Sequence, residues 1–247
     1  IQTKQFTWST DLTFSTYNDR WKERDPNWKP AAYQKEQDPI RGVFAYVADG
    51  LLQPGEEAPA HQPQLLPGQV KLKNINGDDK LNEEDMVLIG RNDPKFIFGF
   101  NNNFSYKNFD LNIYIYGQVG KIAGANSYYD AWGSYGNRIK LGQNVPVSFK
   151  DAWSSDNQTS TRPSFIESAY GTGDLFLQKI SFLRIRNITL GYTVPISKSI
   201  CNRLRVYADV NNPCVWTNWK GQDPETDSNT NAYPNVTSFS IGVDISF

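Results

Sequence analysis

Ser238-Phe239-Ser240-Ile241-Gly242-Val243-Asp244-Ile245-Ser246-Phe247 is the stretch with the plainest periodicity. Phe239, Ile241, Val243, Ile245 and Phe247 take every second place, and small or polar residues fill the places between. Successive side chains of a β-strand point to opposite faces, so this alternation describes a strand with one apolar and one polar face. About ten residues is also the length that crosses a bilayer when a strand is tilted. A strand of a soluble sandwich alternates in the same way, so the choice between the two falls to the rest of the chain.

The same period recurs upstream. Phe109, Leu111, Ile113 and Ile115 alternate with Asp110, Asn112, Tyr114 and Tyr116, and Phe96, Phe98 and Phe100 mark a strand before them. Ser105 to Asn108 then make a tight hairpin. A second pair runs from Phe182 through Tyr192 and from Arg203 through Trp216, and Phe6, Trp8, Leu12 and Phe14 keep one parity near the start, with Thr10 in the remaining place. That makes about six long strands. Their connections alternate in length: long over 20–94, short over 105–108, long over 120–179, short over 195–202 and long over 218–236. Short periplasmic turns and long extracellular loops are the mark of an outer-membrane barrel. In that frame Tyr106, Tyr192, Trp216 and Trp219 fall near strand ends, where interfacial aromatics collect, although aromatics are common in any strand. One strand changes parity: Leu183 and Ile185 are odd, but Ile188, Leu190 and Tyr192 are even. A β-bulge near Arg186 and Asn187 restores the phase and turns Arg184 and Arg186 to the lumen, since a cation on the lipid face costs about 2–4 kcal/mol near mid-bilayer.

Composition agrees with many strands joined by turns. Aromatics are 14% of 247 residues, Gly and Pro number 18 and 14, and a net charge of -1 leaves no basic surplus for nucleic acid. A mean hydropathy of -0.58 and no long apolar run exclude a membrane-spanning helix, but not a barrel, whose lumen-facing residues dilute the lipid-facing ones. No charged n-region precedes an apolar stretch, so no signal peptide is expected within these residues. Cys201 and Cys214 match no metal or redox spacing and read as unpaired small residues. The one histidine, His61, lies in a Pro-rich segment, PGEEAPAHQPQLLPG, that reads as extended loop. Triad, zinc and histidine-base chemistry therefore have little to work with, and no organic cofactor is expected. The carboxylates lie mostly in loops without the pairing a glycosidase needs. The expectation is a protein that binds its ligand and is not an enzyme.

One loop has a chemical pattern. Residues 74–85 place Asn74, Asn76, Asp78, Asn82 and Asp85 at the first, third, fifth, ninth and twelfth positions of a calcium-type loop, with Lys80 supplying its backbone carbonyl. The first ligand is Asn where Asp is usual, and Asp79 replaces the Gly of the sharp bend, though Asp tolerates a left-handed backbone. The competing reading is a polar turn holding Asx hydrogen bonds. A second candidate set, for ligand binding, is the loop aromatics Tyr128, Tyr129, Trp132 and Trp153, which could equally be packing anchors.

PGQVKLKNINGDDKLNEEDMVLIGRNDPKFIFGFNNNFSYKNFDLNIYIYG, FLRIRNITLGYTVP, LRVYADVNN, WKGQDPE and the terminal strand together resemble the SusC/RagA type of TonB-dependent transporter, in family order. IRGVFAYVADGLLQ resembles a further family segment, with Ala45 where Gly is common. The resemblance implies an all-β fold, with residues 1–247 as C-terminal antiparallel strands of a large transmembrane up-and-down barrel whose plug, TonB-contacting segment and remaining wall lie elsewhere. It implies location in the outer membrane of a Gram-negative, Bacteroidetes-like bacterium, and import of glycans or peptides in complex with a SusD-like lipoprotein. It also implies that Phe239, Ile241, Val243, Ile245 and Phe247 form the pattern read by the assembly machinery. The alternative is a soluble calcium-binding β-sandwich that binds carbohydrate.

Overall fold

The computed structural model describes residues 1–124, 141–142, 144, 147–165, 171–196, 201–226 and 232–247. Among the described residues ten strands occur in chain order: β1 (Phe6–Ser15), β2 (Gly42–Ala45), β3 (Ala48–Leu51), β4 (Val70–Leu72), β5 (Val87–Arg91), β6 (Phe96–Tyr106), β7 (Phe109–Gly124), β8 (Leu177–Val194), β9 (Arg203–Thr217) and β10 (Ser238–Ser246). The six long ones form a single antiparallel sheet in the order β1-β6-β7-β8-β9-β10. Among the described residues the only helical turns are short 3-10 pieces at Glu83–Asp85 and Val147–Asp151, and no helix is long and apolar enough to cross a membrane.

The register explains why the alternation holds across the sheet. Ile245, Val243, Ile241 and Phe239 pair with Leu204, Val206, Ala208 and Val210. These pair in turn with Val194, Tyr192, Leu190 and Ile188, and the last three with Phe109, Leu111 and Ile113. Side chains directly opposite one another share a face, so the apolar rows of all six strands merge into one surface. Among the described residues no second sheet covers it: Phe239, Ile241, Val243 and Ile245 are exposed, Phe109 is exposed, and Leu111, Ile113 and Ile115 are only half-buried. A soluble sandwich would bury this face against another sheet. Tyr106, Tyr192 and Trp216 lie on it close to strand ends. Trp219 does not, which corrects its expected place among the interfacial aromatics: it is buried with Ala123, Phe149, Ala152 and Ile180 in a core beneath the loops.

The phase change in β8 is a bulge. Tyr114 and Ile115 of β7 face Asn187 and Ile185, leaving Arg186 as the extra residue, and β9 has a matching irregularity beside Asn212, whose φ is 49°. One place on the apolar face is polar. Asn102 pairs with Thr10 and Ile113, is 6% exposed, and accepts hydrogen bonds from Trp8 Nε1 (3.3 Å) and Thr10 Oγ1 (3.0 Å). Its amide oxygen thus finds partners within the sheet, as an apolar surrounding demands.

The connections alternate as expected. Lys107 and Asn108 alone join β6 to β7, with Lys107 at φ 52°, whereas residues 16–95 separate β1 from β6 and fold into two small sheets, β2-β5 and β3-β4. The Pro-rich segment before β4 is a run of turns docked on that strand, not an extended loop. Gln62 is fully buried and mimics a strand partner, accepting from Leu72 N (2.7 Å) and donating to Val70 O (3.4 Å), while His61 Nε2 lies 2.7 Å from Leu72 O. Cys201 and Cys214 are both free thiols.

At the far edge, Gly242 lets Tyr207 of the neighbouring strand lie across its Cα, since a Cβ there would collide with the Tyr207 ring. Gly242→Val is therefore expected to destabilise the sheet by about 1–3 kcal/mol through overpacking. Urea unfolding of the full-length protein checks it; an unchanged midpoint would mean the ring swings away freely.

Candidate functional site

The face opposite the apolar one is bonded largely to itself. Asn112 Nδ2 donates to Asn101 Oδ1 (2.8 Å) and Asn103 Oδ1 (2.7 Å). Asp209 accepts from Asn187, Thr189 and Asn211 across β8 and β9. Arg205 bridges Asp110 of β7 (Nη2 to Oδ2, 2.6 Å) and Asp244 of β10 (Nη1 to Oδ2, 3.0 Å), crossing β8 where Gly191 leaves room. Such a surface suits a wet or polar-filled lumen, where each group keeps a partner at little desolvation cost.

Near the long-loop end this face holds its most buried charges. Arg184 is 2% exposed and Asp223 3%. Arg184 Nη2 donates to Asp223 Oδ1 at 2.9 Å, and its Nε lies 2.7 Å from Glu225 Oε1 as an ion pair without hydrogen-bond geometry. Arg186 Nη2 donates to the other oxygen of Glu225 at 2.7 Å and stacks over Tyr116. Burial alone would raise the Asp223 carboxyl, but hydrogen bonds from Glu225 N and Asn235 N, together with the Arg184 charge, outweigh it and hold it below the usual carboxylate range. The bulge expected from parity does aim Arg184 and Arg186 at the polar face. Their partners in the WKGQDPE stretch were not foreseen, although two arginines on a buried face call for carboxylates and Asp223 and Glu225 stand in a long loop beside them.

The 74–85 loop takes the bend its spacing requires, with Asp79 at φ 57° and Gly77 at φ 75°. Its oxygens serve the loop's own backbone. Asn74 Oδ1 accepts from Gly77 N, Asn76 Oδ1 from Asp78 N, Asp78 Oδ1 from Lys80 N, and Asn82 Oδ1 from Glu84 N. Asp85 is fully buried and accepts from Ile75 N (2.7 Å), Asn76 N (3.4 Å) and Asn82 N (3.0 Å), closing a capping box. Among the described residues no three His, Cys, Asp or Glu gather as metal ligands. Asp85→Ala strands three amides, so it is expected to loosen this loop by about 2–3 kcal/mol. Faster hydrogen exchange at Ile75 and Asn82 checks that, and unchanged protection would show that water replaces the carboxylate.

Of the loop aromatics, Tyr128, Tyr129 and Trp132 lie outside the described residues. Trp153 packs on the buried cluster of Leu51, Val70 and Leu72, with Gly68 beneath its ring, which is the geometry of a packing anchor. Phe239, Ile241, Val243 and Ile245 form the outer row of an edge strand, and Phe247 follows it, exposed.

No family model matches the chain. It is 26% identical over 283 aligned residues to TonB-dependent receptor P3 of Formosa agariphila, covering all of the chain and 27% of that protein. It is 27% identical over 180 residues to TonB-dependent receptor SusC of Bacteroides thetaiotaomicron, covering 70% of the chain and 17% of that protein. The RagAB peptide transporter superposes over the whole chain and 28% of its own with a TM-score of 0.75 at 20% identity, and the closed-closed RagAB peptide importer with 0.71 at 20%. The chain thus spans between 17% and 28% of the length of these relatives. In sequence the chain is similar to TonB-dependent receptors, SusC among them, and in fold to part of a RagAB chain.

Proposed function

We propose that this chain is part of the wall and the extracellular loops of an outer-membrane importer that takes up glycans or peptides with energy delivered through TonB. The observation that carries the reading is the division of one six-stranded sheet into a continuous uncovered apolar face and a self-bonded polar face, with long loops at one end only. A sheet so divided is stable with lipid on one side and a filled lumen on the other. Among the described residues the outer edge of β10 pairs with no further strand and that of β1 is met only by Ile1 to Thr3 at its start, and lipid tolerates no open edge. The remaining wall, a plug and the TonB-contacting segment belong to the rest of a longer protein. A SusD-like lipoprotein over the long loops is part of the proposal, and the relatives named SusC and RagAB support it. The relatives are named as receptors and transporters, which supports a substrate that is bound and passed on unchanged.

The test is deletion of the whole gene in its host, followed by growth on single oligosaccharides and peptides. Loss of growth on one class, restored by the wild-type gene only when TonB is present, is the expected result. Undiminished growth on both classes, or a protein recovered in the soluble fraction without detergent, would overturn it.

Calcium at Asn74, Asn76, Asp78, Lys80, Asn82 and Asp85 is a separate proposal, in which the oxygens are shared between the loop's amides and the cation. Heat on calcium titration of the full-length protein, absent in Asp85→Ala, would support it; no heat at millimolar calcium would end it.

A further inference from the structure

On the outer face the apolar band ends at the same level in two neighbouring strands. In β8 the outer row runs Tyr192, Leu190, Ile188, Ile185, Leu183 and then Ser181 and Lys179; in β9 it runs Val206, Ala208, Val210, Cys214 and Trp216, and past the end of β9 come the exposed Asn218 and Lys220. Leu183 and Trp216 are paired, so the change from apolar to basic is shared. From Tyr192 to Leu183 the strand rises roughly 23 Å along the membrane normal at the usual tilt, about the height of a lipid-facing band. Lys179 sits four residues further, roughly 10 Å above Leu183, at the depth of headgroups on the long-loop side.

A cleft of about 470 Å³ opens there, lined by Arg162, Lys179 and Lys220 against the apolar wall of Leu175, Phe176 and Leu177. Among the described residues no carboxylate lines it and none pairs with Lys179 or Lys220. The cleft is held firmly. Asn218 extends the β8-β9 ladder past its end, donating to Lys179 O (2.7 Å) and accepting from Ser181 N (2.8 Å), and Lys220 N donates to Gln178 Oε1 (3.3 Å). Trp219 is buried in the core beneath, while Asn218 and Lys220 on either side of it are exposed.

We propose that this cleft binds a phosphate group of a glycolipid in the outer leaflet, with the lysines on the phosphate and the apolar wall beside the first part of the lipid. Compact ammonium groups without carboxylate partners suit a phosphate monoester, and their depth suits one carried by a lipid. The inference rests on the reading of the sheet as membrane wall. The experiment uses full-length protein in phosphatidylcholine vesicles doped with diphosphoryl lipid A, or with the same lipid after removal of its phosphates. The wild type should retain the phosphorylated lipid through washing, and Lys179→Gln with Lys220→Gln should weaken retention about thirtyfold. Lys179→Glu with Lys220→Glu should weaken it further. All forms should keep the same heat-modifiable folded band. Equal retention of the dephosphorylated lipid, displacement of the lipid by inorganic phosphate at matched concentration, or unchanged retention by the Gln variant would each overturn the proposal. A protein that neither enters vesicles nor shows a heat-modifiable band would instead refute the membrane reading beneath it.

Discussion

Arg184→Ala is expected to destabilise the folded protein by about 3–5 kcal/mol, the cost of leaving buried charges without their partner. Asp223 and Glu225 would then face each other and a low-dielectric wall, with only Arg186 left to neutralise them. Arg186 is half-buried and has several polar neighbours, so Arg186→Ala should cost about 1 kcal/mol. Arg184→Lys should recover only part of the loss, because one ammonium cannot serve two carboxylates in a planar fork. The same cluster makes stability depend on pH. Asp223 is held below the ordinary carboxylate range, so its contribution is complete above the unfolded-state value of about 3.9 and is lost as pH falls through the lower folded value. Acid should therefore weaken the wild type more steeply below about pH 4 than Asp223→Asn, which is weaker throughout but flatter. Urea unfolding of full-length protein in detergent, repeated across that range, separates these expectations. Parallel pH profiles for wild type and Asp223→Asn would mean that other carboxylates govern acid unfolding.

The long strands were legible because a sheet with one apolar and one polar face imposes a rule on every second residue, and the rule survives even where it is locally broken. Odd Leu183 and Ile185 against even Ile188 and Leu190 announced a bulge, and the register places the extra residue at Arg186. The small sheets of the 16–95 loop were not legible. β2 to β5 are three to five residues long, and their pairing is set by how the loop closes and by single side chains such as Gln62. Tertiary context decides such segments, and a local period cannot announce it. Ion pairs across sequence were equally hidden: Arg184 shows that a carboxylate is needed, but which of the loop acids supplies it depends on the β9-β10 loop folding back over the polar face. Thr10 was visible as a gap in an apolar row, yet only the register reveals that Asn102 lies beside it and fills its hydrogen bonds. The 74–85 loop shows the reverse case. Its spacing correctly anticipates the bend at Asp79, while the oxygens that fit a cation also fit the amides of a turn.

Two adjacent residues in β10 offer the sharpest test of which face meets lipid. Ile241 pairs with Ala208 in the outer row, between Phe239 and Val243, and is 83% exposed because no protein covers it. Ser240 points the other way and pairs with Asp209, inside the polar network of β8 and β9. Ile241→Arg places a cation within the apolar band and is expected to cost about 2–4 kcal/mol, less where the long side chain reaches the headgroups. Ser240→Arg places the same charge one residue away, beside a carboxylate, and should cost less than about 1 kcal/mol. The contrast separates a face covered by an apolar medium from one left in water, since a cation on an uncovered aqueous face would not distinguish the two positions so strongly. Phe247→Asp adds the assembly question: if the row from Phe239 to Phe247 is read during insertion, this variant should lower the amount of folded protein in the outer membrane more than it alters the urea midpoint of molecules that do fold. Heat-modifiable protein in outer-membrane fractions and urea midpoints in detergent are the two readouts. Equal losses for Ile241→Arg and Ser240→Arg would mean that lipid does not lie against the Ile241 face. A Phe247→Asp variant whose folded amount falls only in step with its midpoint would leave that residue an apolar contact like its neighbours in the row.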